Sequence, residues 1–504
     1  MTNLALYPKW GGLATPFRHT WEGIVNIDQF RWLVRRDIQE QLKLACDELG
    51  ARHVRAVGMF DDEMRVLAKD PKKFAINERN IPRLNWQIVD YVMDSLLDIG
   101  VNPMFTTTFM PGTMAAGEKT VFSTKSRISP PNDYVEWAGL VTKAVRHSVE
   151  RYGFDIVKNW YFEVWNEPNL IDGFWEGAQE DFFKLWQVTY EAIKGIHPDL
   201  RIGGPSSARA EWVQDMIEFG RRHDCVPDYM ICHIYNNDSE SAALSPFDGP
   251  QEDKANTSPH FASGVIRGVR TLTDRLGYKG SIHWNEWGRS WWPYFPDRET
   301  PNEAAFIAKT MAEVSQLGDY FAFWCLSDIY DQVGYGSETF HGNYGMLNLQ
   351  GLRKPSYQAF QLLSRLGTER LEIEGCGLNS LTNAVVTRKS DGYGILIYSY
   401  SDEEQYIETD INVSVELPGR IDKSNLVLYQ VNSHENNIVG RWKELGSPAY
   451  LKKDELTVLK QNNALTPSKS EILVTEDEGA IKCNFIIKAP GVSLLEINDI
   501  HLEG

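Results

Sequence analysis

Between about residue 22 and residue 363 the chain alternates short apolar, strand-like runs with longer segments of helical periodicity, eight times in succession. The strand-like runs cover residues 22–28, 53–60, 102–108, 161–167, 201–206, 229–235, 281–287 and 320–328. Several are continuous apolar runs without clean alternation, the pattern of strands buried on both faces. Helical patterns lie between them. Asp133-Tyr-Val-Glu136 reads as a capping-box start, after which Trp137, Leu140, Val141 and Ala144 recur at helical spacing until Gly153. Residues 39–49 behave similarly and stop at Gly50. Eight strand–helix units over roughly 340 residues predict an α/β fold, a (β/α)8 TIM barrel with long loops. The other architecture built from such units is a doubly wound open sheet, but no GxGxxG follows the first strand. Gly203-Gly-Pro205 reads as a turn.

After about Leu371 the texture changes. Residues 383–389, 393–401 and 406–417 carry strand patterns with no helix between them, and Ile411, Val413, Val415 and Leu417 alternate strictly. Runs at 426–431, 471–475, 480–487 and 492–497 continue the pattern, which predicts an accessory antiparallel β-sandwich. A chain of 504 residues exceeds the size at which one core stops growing, so a division is required. The expected plan is an N-terminal segment at 1–20, the barrel at 21–365 and the sandwich at 366–504.

Lys and Arg number 51 against 69 Asp and Glu, a net charge of −18 whose field disfavours nucleic acid and anionic membrane as partners. No apolar run is long enough to span a bilayer. Residues 1–12 lack a basic region followed by an apolar stretch, so no secretory signal is expected. The cysteines at 46, 225, 232, 325, 376 and 483 have no CxxC spacing, Cys232 and Cys325 read as buried free thiols, and the expected setting is reducing and cytoplasmic. There is no HExxH, no Cys/His cluster at zinc spacing, no Walker loop and no GxSxG, so no metal or cofactor is expected.

The chemistry is concentrated at two strand ends. The fourth strand closes on Tyr161-Phe-Glu-Val-Trp-Asn-Glu-Pro-Asn169 and the seventh on His283-Trp-Asn-Glu-Trp-Gly288. Each places an Asn-Glu pair at the C-terminal lip of the barrel, where such folds carry their reacting groups. Strands four and seven face each other across a closed ring of eight. Glu167 and Glu286 therefore converge, as cleavage of a glycosidic bond requires: one carboxyl protonates the leaving oxygen while the other attacks or activates water. Sixteen tryptophans suit a cleft that stacks on sugar rings, although most aromatic residues must be core. Either glutamate could instead be half of a buried ion pair.

The segment at 165–169 resembles the acid/base signature of clan A glycoside hydrolases, and the whole chain is similar to glycoside hydrolase family 39, named for β-xylosidases and containing other glycosidases. The match runs through Phe109-Met-Pro111, Pro130-Pro-Asn-Asp-Tyr134, Glu163-Val-Trp-Asn-Glu-Pro-Asn-Leu170, Gly203-Gly-Pro205, Ser327-Asp328 and Phe340-His-Gly342. The resemblance implies a barrel with a β-sandwich that the N-terminal segment can extend by a strand, exo-action, net retention and no metal. It also implies Glu167 as general acid/base and Glu286 as nucleophile. Asn166 matches the position that hydrogen-bonds the sugar 2-hydroxyl, though an Asn also suits a strand-end turn. Tyr235 matches the nucleophile's hydrogen-bond donor and His233 a residue lining the sugar subsite; on their own both also read as satisfied core residues. Arg55 matches the arginine that keeps the nucleophile charged. Alternation by two from Glu167 equally allows Arg55 a buried pair with Glu163. Trp324 resembles the platform beneath the sugar, with core packing as its other reading. Trp287, Trp291, Trp292 and Tyr294, following the nucleophile on a loop, suggest a cleft wall, and Asp61-Asp62-Glu63 reads as a solvated loop with substrate contact as its other reading.

Three departures from the xylosidase pattern touch the sugar pocket: Val57 where a His is usual, Ser123 and Thr124 in place of a Trp pair, and Asp331-Gln332 in place of paired Glu. A lost hydrogen-bond partner can change selectivity by orders of magnitude. The expected function is a cytoplasmic, retaining exo-glycosidase acting on oligosaccharides or glycosides, β-xylosides first, then β-glucosides, β-galactosides or α-L-arabinosides. A transglycosylase or a non-catalytic carbohydrate-binding protein would use the same scaffold, and a homo-oligomer is compatible with it. The carboxyl groups should lie about 5–5.5 Å apart, with Glu167 titrating high from its apolar surroundings and Glu286 low from Tyr235 and Arg55.

Overall fold

The computed structural model describes residues 2–67, 84–239, 258–330, 332, 334, 336–403, 405–477 and 480–498. Asp331 lies outside them. Eight strands, β1 (Ile24–Gln29), β2 (His53–Val57), β3 (Asn102–Thr106), β4 (Tyr161–Glu163), β5 (Arg201–Ser207), β6 (Tyr229–Tyr235), β7 (Ser281–Gly288) and β8 (Tyr320–Phe323), pair parallel in sequence order. Every residue of β1, β2 and β6 is buried, as strands covered on both faces must be. The ends of the sheet meet through Asn26. Its carbonyl accepts from Leu326 N (2.9 Å), and its carboxamide donates to the carbonyls of Ala322 and Phe323 (both 3.2 Å). A polar residue inside an apolar strand thus closes a TIM barrel, satisfying backbone groups that a ladder would otherwise pair.

Helices α1 (Arg36–Leu49), α2 (Gln87–Ile99), α3 (Tyr134–Tyr152), α4 (Gln179–Lys194), α5 (Val213–His223), α6 (Phe261–Arg275), α7 (Pro301–Val314) and α8 (Pro355–Leu363) follow the strands in turn. Asp133 caps α3 by accepting from Val135 N (2.7 Å) and Glu136 N (3.4 Å), and Gly153 ends it at φ +85°. Gly50 ends α1 at φ +71°. Several strands stop earlier than the apolar pattern suggests. β2 ends before Gly58 (φ +87°) and β4 before Trp165 (φ +67°), because left-handed residues turn the chain out of the ladder there. Gly203-Gly-Pro205 lies within β5 rather than in a turn; a Cβ at Gly203 would sit 2.2 Å from the Tyr229 ring.

The chain divides into two compact units. One, Glu22–Trp291 with Leu317–Tyr335, holds the eight barrel strands and α1 to α6. The other comprises Met1–Trp21, Trp292–Gln316 and Gly336–Gly504. Its first sheet runs Ile373–Cys376, Thr2–Pro8, Thr409–Glu416, Ala480–Ala489, Leu473–Asp477. Its second runs Leu426–Val431, Gly491–Asn498, Gly392–Ser399, Thr382–Arg388, Glu369–Leu371, Thr15–Pro16. All ladders are antiparallel except that of Thr2–Pro8 with Thr409–Glu416, so the N-terminal segment supplies a strand to each sheet. The alternating Ile411, Val413 and Val415 point inward with Leu4, Leu6 and Phe485, against Val386, Ile395, Ile397 and Leu495 of the facing sheet. Burying each such side chain contributes ~1.5–3 kcal/mol. Helix α7 belongs to this unit and is buried on nearly every residue, with Ala304, Ala305 and Ala308 admitting close packing against Gly491–Asn498, Gly392–Ser399 and α8. Among the described residues no helix is long and apolar enough to cross a membrane.

Candidate active site

The site starts from two irregular strand ends. Beyond β4 the chain turns through Trp165 and Glu167 (φ +48°), both left-handed, each at a cost of ~1–3 kcal/mol. The turn is over-determined. Trp165 is fully buried, meets Trp175 edge-on at 4.9 Å and donates Nε1–H to Phe174 O (2.8 Å), while Glu167 N donates to Ser206 O (2.8 Å). At the seventh strand the β6–β7 ladder shifts register between Cys232 and His233, so that His233 pairs with Glu286 and Asn285 is passed over. Such bulges re-aim side chains at the rims of barrels. Asn26 holds the passed-over peptide by donating to Asn285 O (2.6 Å).

Arg55, fully buried on β2, ties these ends together. Its guanidinium grips Glu163 with two bonds (Nε to Oε2 2.7 Å, Nη2 to Oε1 2.9 Å), donates Nη1–H to Glu286 Oε1 (2.7 Å) and Nη2–H to Asn166 Oδ1 (2.6 Å). Arg55 therefore pairs with both Glu163 and Glu286. Five donors in a planar fork let one cation serve two carboxylates and an amide, which a lysine could not do. Ser206 Oγ (2.7 Å) and Thr106 Oγ1 (3.2 Å) complete the shell of Glu163. Burial alone would raise that carboxyl, but Arg55 and Ser206 bring it below its ordinary value.

Glu286 accepts from Arg55 on Oε1 and from the Tyr235 hydroxyl on Oε2 (3.0 Å). The expectation that these donors leave Glu286 titrating low does not hold. Burial raises it above the ordinary carboxylate value, with Glu167 adding to the rise and His233 and Arg55 only partly offsetting it. Desolvation acts on every buried carboxylate, and proximity along a sequence gives no measure of it. Glu167 is lifted further, to about 7, by burial, with Arg55 and Arg209 pulling against the rise. His233 is fully buried, and its Nδ1 lies 3.0 Å from Glu167 Oε1 and 3.7 Å from Glu286 Oε1, between the two carboxyl groups. Burial lowers the imidazole to about 4, so it is neutral at neutral pH. One carboxylate oxygen from each glutamate and a ring nitrogen of His233 lie within 4.8 Å of one another.

These three residues are the group among the described residues whose donor atoms could reach one ion. They suit it poorly, since a cation there would face the Arg55 guanidinium already bound to Glu286. The arrangement suits two carboxyl groups of unequal proton affinity working on opposite sides of a bond. With Asn166 Oδ1 held by Arg55, its Nδ2 is the end left to donate.

Six of the residues singled out from sequence thus lie together: Arg55, Asn166, Tyr235 and Glu286 in one hydrogen-bonded group, and Glu167 with His233 in a second, His233 Nδ1 lying 3.7 Å from Glu286 Oε1. Trp324 follows β8 directly, buried, with its ring edge-on to Tyr330 at 6.3 Å. Trp287 is no part of an exposed wall: it lies within β7, fully buried, edge-on to Phe323 at 5.3 Å. Trp291, Trp292 and Tyr294 are 49%, 50% and 38% exposed. Asp61 is also not on a solvated loop. It is buried, accepts from Ser126 Oγ (2.6 Å), and is raised by burial to about 7. Of the departures from the xylosidase pattern, Val57 is buried opposite Gln29 in the β1–β2 ladder. Ser123 accepts from Arg31 (3.4 Å), Thr124 hydrogen-bonds Ser126 (2.7 Å), and Gln332 bridges Asp28 (2.5 Å) and Tyr330 (2.8 Å). Sequence reasoning missed Asn26 and Ser206; a lone Asn in an apolar strand was the one available signal.

Comparison with known proteins agrees with this chemistry. The profile of Glycosyl hydrolases family 39 matches residues 12–480. A beta-xylosidase of Caldicellulosiruptor saccharolyticus is 33% identical over 438 residues, 86% of each chain. A beta-xylosidase of Geobacillus stearothermophilus is 28% identical over 495 residues, 97% of this chain and 94% of that one. The crystal structure of a monomeric beta-xylosidase from Caulobacter crescentus CB15 is similar with a TM-score of 0.84 and 27% identity, over 99% of this chain and all of the other. A profile match over nearly the whole chain, together with relatives matched across both units, leads to one conclusion: this protein is a glycosyl hydrolase and belongs to family 39.

Proposed function

We propose that this glycosyl hydrolase removes terminal non-reducing sugars by double displacement, with β-D-xylosides as its first substrates. Glu286 attacks the anomeric carbon while Glu167 gives its proton to the leaving oxygen, which breaks the glycosidic bond and forms a glycosyl ester on Glu286. Glu167, now ionised, takes a proton from water, and the hydroxide attacks the same carbon and frees the Glu286 carboxylate. The observation that carries this reading is the pair of carboxylate oxygens within 4.8 Å of each other. Retaining enzymes hold the groups about 5–5.5 Å apart, whereas an inverting water needs roughly 6.5–9.5 Å. A Glu167 carboxyl lifted to about 7 is still about half protonated at neutral pH, the poise an acid that later acts as base needs, while Arg55 and Tyr235 donate to the charged form of Glu286. Two relatives named beta-xylosidase support the sugar. Asn166, with Nδ2 left to donate, is assigned the 2-hydroxyl, His233 the sugar subsite and Trp324 the platform beneath the ring. Six free cysteines, one of them exposed, support a reducing, cytoplasmic setting. Proton NMR of xyloside hydrolysis tests the reading. The first-formed sugar should keep the substrate's anomeric configuration; an inverted first product would overturn it.

A further inference from the structure

Asn169 ends the Asn166-Glu-Pro-Asn169 turn, and its buried carboxamide is spent on the backbone of a single residue of the neighbouring loop, Ala208. Oδ1 accepts from Ala208 N (2.9 Å) and Nδ2 donates to Ala208 O (3.0 Å). Two residues earlier in each chain segment, Glu167 N donates to Ser206 O (2.8 Å). The turn after β4 is thus joined to the end of β5 and the residue following it at two points, one at the Glu167 N–H itself and one two residues beyond. Both segments run through left-handed backbone at residues with side chains: Trp165 and Glu167 in one, Ser206 (φ +56°), Arg209 (φ +57°) and Ala210 (φ +52°) in the other. Conformations of this kind persist only where surrounding bonds over-determine them. The joint also reaches the second carboxyl, since Ser206 Oγ bonds Glu163, Glu163 pairs with Arg55, and Arg55 holds Glu286.

We infer that Asn169 is a positioning residue for Glu167, setting where the acid/base carboxyl points by clamping the backbone N–H and C=O of Ala208. This rests on Glu167 being the acid/base. The clamp also fixes Arg209, the residue after Ala208, whose charge acts on Glu167 and which pairs with Glu211 (2.9 Å). The other groups facing Glu167 are His233, Glu286, Arg55 and Asp238. None of them hydrogen-bonds Asn169, so its loss acts through the loop alone. A displacement of about 1 Å at a proton-transferring group can cost on the order of 100-fold in rate.

The test is a series of aryl β-xylosides of graded leaving-group pKa, measured on Asn169→Ala, Asn169→Asp and, in parallel, Glu167→Ala. Asn169→Ala is expected to lose roughly 10–100-fold in kcat/KM on poor leaving groups and about threefold or less on dinitrophenyl xyloside. Its alkaline limb should move upward as Arg209 withdraws. Asn169→Asp keeps the bond from Ala208 N and should show the same pattern at smaller amplitude; it decides the matter if Asn169→Ala does not fold. Equal losses on all leaving groups, or a lowered Tm with an unchanged pH profile, would overturn the inference. Equal losses in Glu167→Ala would instead overturn the assignment of Glu167 itself.

Discussion

Replacing Glu167 by glutamine removes a carboxyl that folding holds away from its preferred charge state. The group titrates ordinarily at 4.5 and is lifted to about 7 by burial. An acid whose folded pKa is raised binds more protons in the native state than in the unfolded chain between those two values, so its contribution to stability falls as pH rises through that window. Fully developed, a shift of this size costs about 3 kcal/mol at 1.36 kcal/mol per unit. At pH 5 the cost is about 1 kcal/mol and at pH 8 about 3 kcal/mol, because most of the difference in bound protons accumulates between them. Glutamine carries no such cost and can still hydrogen-bond His233 Nδ1, now 3.0 Å from Oε1. Urea unfolding of wild type and Glu167→Gln at both pH values should give a stability advantage of the variant that grows by about 2 kcal/mol from pH 5 to pH 8. A constant offset from altered packing drops out of that comparison. An advantage that is flat, or that shrinks with pH, means that Glu167 is not raised in the folded protein, and the argument for its holding a proton at neutral pH goes with it.

Glu286→Gln should abolish turnover on every substrate, since no nucleophile is left; residual turnover above about one part in a thousand would point to another attacking group. Glu167→Ala should spare activated aryl glycosides, and added azide should restore turnover by attacking the glycosyl ester; no azide adduct with a full-length ester intermediate would count against the assigned roles. Tyr235→Phe deletes one bond to the Glu286 carboxylate, worth ~1.5–3 kcal/mol, and should lower kcat about 10–100-fold with little change in Tm. Arg55→Met strands Glu163 and Glu286 as buried charges, a loss of about 3–5 kcal/mol for each broken pair, read as a fall in Tm that eases as pH drops and the carboxyls protonate. A variant as stable as wild type at pH 8 would show that the buried network is not held by this guanidinium.

Much of this protein is written locally. The apolar runs, the capping Asp133 and the stop at Gly153 depend on residues within one helical turn of each other, so periodicity was enough to place the barrel's eight strands and helices α1 and α3, though not every strand end. The alternation through Ile411, Val413 and Val415 likewise foretold a sandwich, since a half-buried strand repeats every second residue. Two Asn-Glu pairs at strand ends four and seven were legible because barrel topology assigns chemistry to those ends before any coordinate is known.

Tertiary structure alone decided the rest. Arg55 reaches Glu163 and Glu286, 108 and 231 residues away, and only convergence of three strands shows that one guanidinium serves both. The N-terminal strand expected for the sandwich finds its partners, Thr409–Glu416 and Ile373–Cys376, across the length of the chain, and Asn26 closes the barrel on Ala322 and Phe323. The burial of Asp61 beneath Ser126 and the upward titration of Glu286 share a cause that no motif encodes. Desolvation depends on what packs around a carboxyl from distant segments, so the pairing of Asn-Glu motifs at facing strand ends lies in the sequence and the proton affinity of their carboxyls in the fold.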